Sequence, residues 1–208
     1  MDIFNPSEIE KKSFAIIESE VPKPLPFQGN QWKIVRRMIH ASADFDLLNL
    51  VRFHPDAIES GVNALRKGCF IITDTKMIVA GINKHKLKKL GCKIRCFISH
   101  NKVKKIASEK GLTRAWVAVD FAIPYINNSI YVVGNSPTAL IRLLDLVSNN
   151  TVFPSLIIGM PVGFVNVIES KEKLIMQKKV PYITVKGRKG GSHLAVAVMN
   201  QLLEVAIS

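Results

Sequence analysis

The sequence has few cysteines, and none of them forms a CxxC pair. Only 3 cysteines occur among 208 residues, at Cys69, Cys92 and Cys96. An odd number without close pairing argues against a disulfide framework and favours a reducing compartment, so we expect a cytoplasmic protein. Cys92 and Cys96 have metal-ligand spacing, but no second pair is present to complete a site. We therefore expect no bound metal.

Long apolar runs are also missing. No apolar run approaches the ~20 residues that cross a bilayer, and acidic residues stand where a signal peptide places basic ones, so we expect no membrane association. With 48% apolar residues, the chain of 208 residues can bury a large core, and its length suits one domain. We expect a single unit, 1–208, in which residues 1–45 form an N-terminal helical arm packed on the rest.

Acidic residues are scarce, so the formal net charge is +13, from 29 Lys and Arg against 16 Asp and Glu. Ten of these cations lie in residues 83–110, the basic segment, where Glu109 is the only acidic residue. The segment suggests an anionic partner, of which nucleic acid is one candidate. Its cations are nearly all lysines and Phe97 is its only aromatic residue, whereas base recognition favours arginine forks and stacking platforms. A solvated lysine-rich face is the simpler interpretation, and nucleic acid is not the partner we expect.

Short β-rich apolar runs alternate with stretches of helical periodicity. This alternation predicts βαβ units and an α/β fold, a three-layer, doubly wound, mainly parallel sheet of the flavodoxin-like type. The predicted strands are Cys69–Thr73, Ile94–Ser99, Ile130–Val133, Leu156–Ile158 and Tyr182–Val185. The predicted helices are Pro6–Glu20, Gln31–Ser42, Pro55–Lys67, Asn101–Lys110, Thr113–Ala122, Pro137–Val147, Asn166–Gln177 and Ser192–Ile207.

Three glycine-rich turns follow three of the predicted strands, where doubly wound sheets bind ligands. They are GNSPTAL (134–140), GMPVGFV (159–165) and GRKGGS (187–192). Each opens a predicted helix, and we expect free backbone N–H groups there to bind anions. Ordinary tight turns need glycine as well, so the pattern leaves both interpretations open. None of the turns matches a nucleoside triphosphate or dinucleotide motif.

Two polar side chains outside the turns are ambiguous from the sequence. His40, near the end of the second predicted helix, can act as a general acid or base, but the residues alone favour a histidine that caps the helix or lies on the surface. Lys171 can reach the strand-end cleft or belong to a solvated helix face, and the sequence favours the solvated face. The residues alone predict an α/β protein that binds a small polyanion, with one histidine as a candidate acid or base.

Six segments read together resemble the precorrin-8X methylmutase family, including its cobalt-precorrin-8 counterpart. They are IEKKSFAII (9–17), VRRMIHASADFD (35–46), CFIITDTKMIVAGI (69–82), GNSPTAL (134–140), GMPVGFVNVIESK (159–171) and GRKGGSHLAVAVMNQL (187–202). They run in order along almost the whole chain. The resemblance implies an isomerase of cobalamin biosynthesis that acts on a corrinoid tetrapyrrole polycarboxylate without an external cofactor. It also implies a homodimer with the substrate near the subunit interface.

The chemistry implied by the resemblance is a 1,5-sigmatropic methyl migration from ring carbon 11 to ring carbon 12, giving hydrogenobyrinic or cobyrinic acid. The family's essential histidine falls on His40, which would transfer protons to and from the macrocycle. Acetate and propionate groups of the substrate would need cations or N–H donors. The resemblance and the three turns together give the substrate-binding candidates Ser13, Arg37, Arg114, Gly134, Asn135, Ser136, Gly159, Pro161, Gly163, Lys171, Arg188, Lys189, Gly190, Gly191 and Ser192.

One stretch departs from the family pattern. Around Arg114 the family usually continues with serine and small residues, whereas this chain has Ala115 and Trp116. A serine contact to the substrate is therefore absent. The alternative to the methylmutase is a non-catalytic α/β protein that binds a polyanion or nucleic acid through the basic segment.

Overall fold

The computed structural model describes residues 5–208, so the first four residues of the expected arm lie outside the described part. Within that range, the centre is a sheet of six strands, β1 Val51–Phe53, β2 Phe70–Thr73, β3 Lys93–Arg95, β4 Ile130–Val133, β5 Leu156–Gly159 and β6 Tyr182–Val185. The strand order is β1-β6-β5-β4-β2-β3. β1 pairs antiparallel with β6 at one edge, and all other pairs are parallel. Without β1, the order is that of a flavodoxin-like sheet, which confirms the predicted fold class.

Eleven helices accompany the sheet in the described residues. They are α1 Pro6–Glu20, α2 Gly29–Ser42, α3 Leu47–Leu50, α4 Ala57–Arg66, α5 Lys76–Gly81, α6 Lys84–Lys89, α7 Asn101–Lys110, α8 Arg114–Ile126, α9 Pro137–Ser148, α10 Val167–Met176 and α11 Ser192–Ile207. None of these helices is long and apolar enough to cross a membrane.

Two hydrophobic cores, one on each face, make the three layers. Because side chains alternate across a strand, Val132 of β4 packs in the core under α2, α4 and α11, while Tyr131 and Val133 pack in the core under α8 and α9. β4, β5 and β6 are therefore buried on both faces, as continuous apolar runs predict for parallel strands.

Four short elements are missing from the sequence-based assignment: β1, α3, α5 and α6. Each has six residues or fewer, too short to show a period in the sequence. The starts of α5 and α6 are nevertheless marked by side-chain caps, because Thr75 Oγ1 accepts from the Ile78 N–H and Asn83 Oδ1 accepts from the Lys86 N–H. The predicted strand Ile94–Ser99 is also corrected, because the pairing of β3 ends at Arg95.

The basic segment forms α6, β3 and α7 at the β3 edge of the sheet. Nine of its ten cationic residues are exposed. The tenth, Lys86, is half-buried and forms an ion pair with Glu204. The positive charge of this segment is thus a solvent-facing property of one sheet edge.

Candidate active site

The three glycine-rich turns meet at one edge of the sheet, as the sequence predicts. They follow β4, β5 and β6, which are neighbours. The Gly191 N–H donates to the carbonyl oxygen of Met160 over 2.8 Å, and the Gly163 N–H donates to that of Arg188 over 3.4 Å. The GMPVGFV and GRKGGS turns are therefore hydrogen-bonded to each other, which leaves these two N–H groups unavailable to a ligand.

Close backbone approach requires glycine at two positions in the turns. A Cβ at Gly190 would lie 2.4 Å from the carbonyl oxygen of Pro161, and a Cβ at Gly134 would lie 2.8 Å from Cα of Ser192. Both distances are shorter than a carbon atom tolerates, so a side chain at either position would push the turns apart. These glycines allow the three turns to pack as one unit.

Asp74, which sequence reasoning missed, holds the GNSPTAL turn. It follows β2 directly and is 3% exposed. Its Oδ1 accepts the Gly134 N–H at 2.9 Å, and its Oδ2 accepts the N–H groups of Asn135 at 2.9 Å and Ser136 at 2.8 Å. The expectation that this turn offers free N–H groups to an anion is wrong, because the protein's own carboxylate occupies them. Burial raises the pKa of Asp74, against the opposing effect of the three N–H donors.

The position of Asp74 in the topology is also informative. β2 and β4 are the two strands between which the order of a doubly wound sheet reverses, and ligands bind outside their carboxyl ends. Asp74 bridges these two ends. The strand-to-helix turn after β2 is thus part of the site, and an acidic residue directly after a buried strand is the signal that could have revealed it.

Two clefts open beside this bridge. The first, the His40 cleft, has a volume of about 380 Å³ and is lined by Arg37, His40, Ala41, Met77, Gly81, Ser192, His193, Val196, Ala197 and Asn200. The second, the Arg114 cleft, has a volume of about 470 Å³ and is lined by Asp74, Thr75, Lys76, Ile98, Ser99, Thr113, Arg114, Ala115, Asn135 and Ser136. The hydroxyls of Thr75 and Ser192 form a hydrogen bond of 3.1 Å, so the clefts share a border.

His40 lies in the last turn of α2 and is exposed to the His40 cleft. Its ring contacts the Phe14 ring edge-on, with 5.2 Å between centroids. No residue in the range 5–208 hydrogen-bonds the imidazole, so both ring nitrogens are available to a ligand. Neighbouring Arg37 is fixed, because Nε donates to Oε1 of Gln201 over 2.8 Å and its guanidinium pairs with Glu10 at 3.3 Å.

Two of the predicted lysines are engaged within the protein. Lys171 is 1% exposed, and its Nζ donates to the carbonyl oxygens of Gly187 at 3.0 Å and Lys189 at 2.5 Å. Its interpretation as part of a solvated helix face is therefore wrong, and burial lowers its pKa to about 8. Lys189 pairs with Asp44 at 2.8 Å and Asp46 at 2.6 Å, which raises its pKa. Lys171 stabilises the GRKGGS turn by hydrogen bonds to two of its carbonyl groups, and Lys189 links the turn to the residues that follow α2.

Several other candidates lie outside the linings of both clefts. The Ser13 hydroxyl donates to the carbonyl oxygen of Ile9 in its own helix, and the Arg188 guanidinium lies over the Phe164 ring, 5.6 Å from its centroid. Gly134, Gly159, Pro161, Gly163, Gly190 and Gly191 are likewise not lining residues. The structure thus brings Arg37, His40 and Ser192 together in one cleft, and Arg114, Asn135 and Ser136 in the other. Thr75, Met77 and His193 are lining residues that the sequence reasoning missed.

The arrangement can bind a flat polyanion and move a proton on it. One arginine stands in each cleft, and α11 starts at their border with no side chain capping its first turn, so its N–H groups favour a negative charge. Met77, 69% exposed, offers an apolar contact. His40 supplies an acid or base within the same space.

We expect Asp74→Asn to lower the free energy of unfolding by about 1–3 kcal/mol, because an amide NH₂ would then face a buried backbone N–H. Urea denaturation at neutral pH measures the change. Asp56→Asn, at an exposed carboxylate, is the matched control and is expected to stay within about 0.5 kcal/mol of the parent. Equal stability of both variants would show that Asp74 does not hold the turn.

Lys171 makes stability depend on pH. Its pKa is about 8 in the folded chain against 10.5 for an ordinary lysine, so the unfolded state binds more protons between these values. The folded state therefore gains stability from Lys171 as the pH rises through this window, by about 3 kcal/mol in all. Lys171→Met lacks this titration. The unfolding free energy of the parent minus that of Lys171→Met, measured in urea, is therefore expected to increase from pH 7 to pH 10.5. A difference that stays constant with pH would contradict a depressed pKa at this position.

Comparison with known proteins identifies the family. The chain matches the family model CbiC, precorrin-8X methylmutase, over residues 8–205. It is 46% identical over 202 residues to the cobalt-precorrin-8 methylmutase of Leptospira interrogans, covering 94% of this chain and 91% of that protein. It is 36% identical over 200 residues to the precorrin-8X methylmutase of Pseudomonas aeruginosa, covering 93% of each chain. The crystal structure of the precorrin-8X methyl mutase from Thermus thermophilus superimposes with a TM-score of 0.88 at 40% identity and covers 96% of each chain. The chain belongs to the precorrin-8X methylmutase family.

Proposed function

We propose that this protein moves a methyl group from ring carbon 11 to ring carbon 12 of precorrin-8X or cobalt-precorrin-8, giving hydrogenobyrinic or cobyrinic acid. The observation that carries the proposal is the exposed imidazole of His40 in a cleft beside fixed Arg37, within a chain that matches the methylmutase family over nearly its whole length. The reaction is an isomerisation, so it consumes no oxidant or reductant.

The substrate spans both clefts in this proposal. Its macrocycle lies across the border made by Thr75 and Ser192, with apolar contact to Met77. Peripheral carboxylates pair with Arg37 in one cleft and Arg114 in the other, and a further carboxylate accepts from the uncapped start of α11. Several such bonds fix the ring against His40, which lowers the entropic cost of reaching the reactive geometry.

His40 transfers the proton in this mechanism. The imidazolium donates a proton to the macrocycle, which biases the conjugated system toward migration of the methyl group. After migration, the neutral imidazole removes a proton and completes the corrin chromophore. One group must gain and lose a proton near neutral pH, which suits imidazole better than the carboxylates or lysines nearby.

The remaining candidates have two proposed roles. Lys171, Lys189, Gly159, Gly163 and Gly190 position the turns, since their contacts run to the protein itself. Substrate contact is proposed for Asn135 and Ser136, which line the Arg114 cleft although their N–H groups are taken. For Ser13, Gly134, Pro161, Arg188 and Gly191, substrate contact rests on the resemblance and the turn pattern alone.

We expect His40→Ala to lower kcat by about 10²- to 10⁴-fold, the usual contribution of a positioned acid or base. The visible spectrum follows the conversion of precorrin-8X and of cobalt-precorrin-8 in parallel, which also decides which substrate is preferred. The matched control is His193→Ala, because His193 lines the same cleft. Activity within about tenfold of the parent is expected for the control. Normal turnover by His40→Ala, or an equal loss in His193→Ala, would contradict the role of His40.

We also propose a cytoplasmic homodimer. Val162, Phe164 and Val165 leave 41%, 82% and 77% of their surface exposed on the turn after β5, and clustered exposed apolar side chains mark interaction sites. Light scattering on the purified protein is expected to give twice the chain mass of 23.1 kDa. Phe164→Asp is expected to shift the protein toward monomer, and Met176→Asp, at another exposed apolar residue, is the control. A monomeric parent with full activity would contradict the dimer.

A further inference from the structure

The chain builds the same local arrangement twice, before β2 and before β3. After α4, Gly68 turns the chain with φ +71° and Cys69 follows. After α6, Gly91 turns it with φ +67° and Cys92 follows. The two turns touch, since a Cβ at Gly68 would lie 3.3 Å from the carbonyl oxygen of Gly91. Each cysteine is therefore the last residue before one of two neighbouring strands.

The register of these strands places the two cysteines opposite each other. β2 and β3 pair in parallel with Phe70 opposite Lys93, and the Lys93 N–H donates to the carbonyl oxygen of Cys69 over 3.2 Å. Cys69 and Cys92 each precede one member of this pair by one residue, so they are opposite each other. Neighbouring strands lie about 4.8 Å apart, within the Cα separation that a disulfide accepts. Both cysteines are free in the structure.

A cavity borders one of these two cysteines. Cys69 lines a cavity of about 750 Å³ together with polar residues that include Asn63, Lys67 and Asn128. Cys69 precedes β2 whereas Thr75 follows it, so this cavity and the two clefts lie at opposite ends of the strand. Cys92 is 9% exposed, and its Sγ also contacts the carbonyl oxygen of Leu65 at 3.3 Å. A small polar reagent therefore meets Cys69 first.

We propose that Cys69 and Cys92 are a redox modification site that forms a reversible disulfide with a low-molecular-weight disulfide, such as oxidised glutathione, as the oxidant. The Cys69 thiolate attacks one sulfur of the oxidant, the S–S bond of the oxidant breaks, and one thiol leaves. The Cys92 thiolate then attacks Sγ of Cys69, the mixed disulfide breaks, and the second thiol leaves. Two protein thiols are oxidised, one small disulfide is reduced to two thiols, and the two thiol protons end on the leaving groups.

The different surroundings of the two thiols set the order of rates. The neighbouring Cys92 and burial raise the pKa of Cys69, whereas the neighbouring Cys69 lowers the pKa of Cys92. The first step is therefore slow at neutral pH and accelerates as the pH rises, because it needs the Cys69 thiolate. The second step is fast, so the mixed disulfide does not accumulate.

The bridge would tie the edge strand β3 to β2 and close the loop that contains α5 and α6. Closing a loop of this length removes entropy from the unfolded chain, and we expect Tm to rise by about 5–10 °C. Reduction with dithiothreitol is expected to reverse the rise.

The test uses Cys96→Ser, which leaves only the proposed pair in the chain. The variant is incubated with oxidised glutathione, its remaining thiols are blocked with N-ethylmaleimide, and the intact and digested masses are measured. We expect the loss of two hydrogens, no maleimide adduct and a peptide cross-linked through Cys69 and Cys92. The matched control is Cys92→Ser combined with Cys96→Ser, which is expected to keep glutathione on Cys69 and to show no rise in Tm.

Two results would overturn the proposal. One is that both thiols of Cys96→Ser still react with N-ethylmaleimide after incubation with oxidised glutathione at raised pH. The other is glutathione retained on Cys69 of that variant, which would show that the Cys92 thiol does not reach it. Neither result depends on replacing a member of the pair, so a folding defect cannot imitate it.

Discussion

A buried carboxylate positions the candidate site. Asp74 leaves β2 and accepts three consecutive N–H groups at the end of β4, which fixes the turn that carries Asn135 and Ser136. Because Gly134 has no side chain, this turn packs directly on Ser192, whose hydroxyl bonds to Thr75. The two clefts are therefore shaped at the point where the strand order reverses, before any substrate binds. Such preorganisation reduces the cost of arranging polar groups at the moment of reaction.

The charged side chains near the clefts differ from those of the basic segment. The net charge of +13 is concentrated in an exposed lysine-rich edge, whereas Arg37, Lys171 and Lys189 are each held by hydrogen bonds or ion pairs within the protein. Arg37 is braced by Gln201 and Glu10, and the buried ammonium of Lys171 supports the backbone of a neighbouring turn. A surface for a long polyanion needs many mobile cations along a track. A small polycarboxylate with a fixed shape instead needs a few rigid partners, which is what surrounds His40.

Sequence reasoning reached the fold because β4, β5 and β6 are short, mainly apolar runs, buried on both faces and leading into glycine-rich turns. It missed β1, because three residues at an antiparallel edge show no period. It also misjudged the turns, since the hydrogen bonds that the turn N–H groups donate to Asp74 span 60 to 62 residues and no local pattern records them. Lys171 looked solvated because its burial depends on carbonyl groups of a distant turn. The family resemblance supplied the role of His40, for which local chemistry favoured a cap.

A crystal structure with hydrogenobyrinic acid bound tests the central claim most directly, namely that the two clefts form one site for a corrinoid. We expect the macrocycle across the border between Thr75 and Ser192, with carboxylates on Arg37 and Arg114. The His40 ring is then expected within about 3.5 Å of the edge that carries ring carbons 11 and 12. A macrocycle bound on the basic segment, or one whose reacting edge faces away from His40, would contradict the claim.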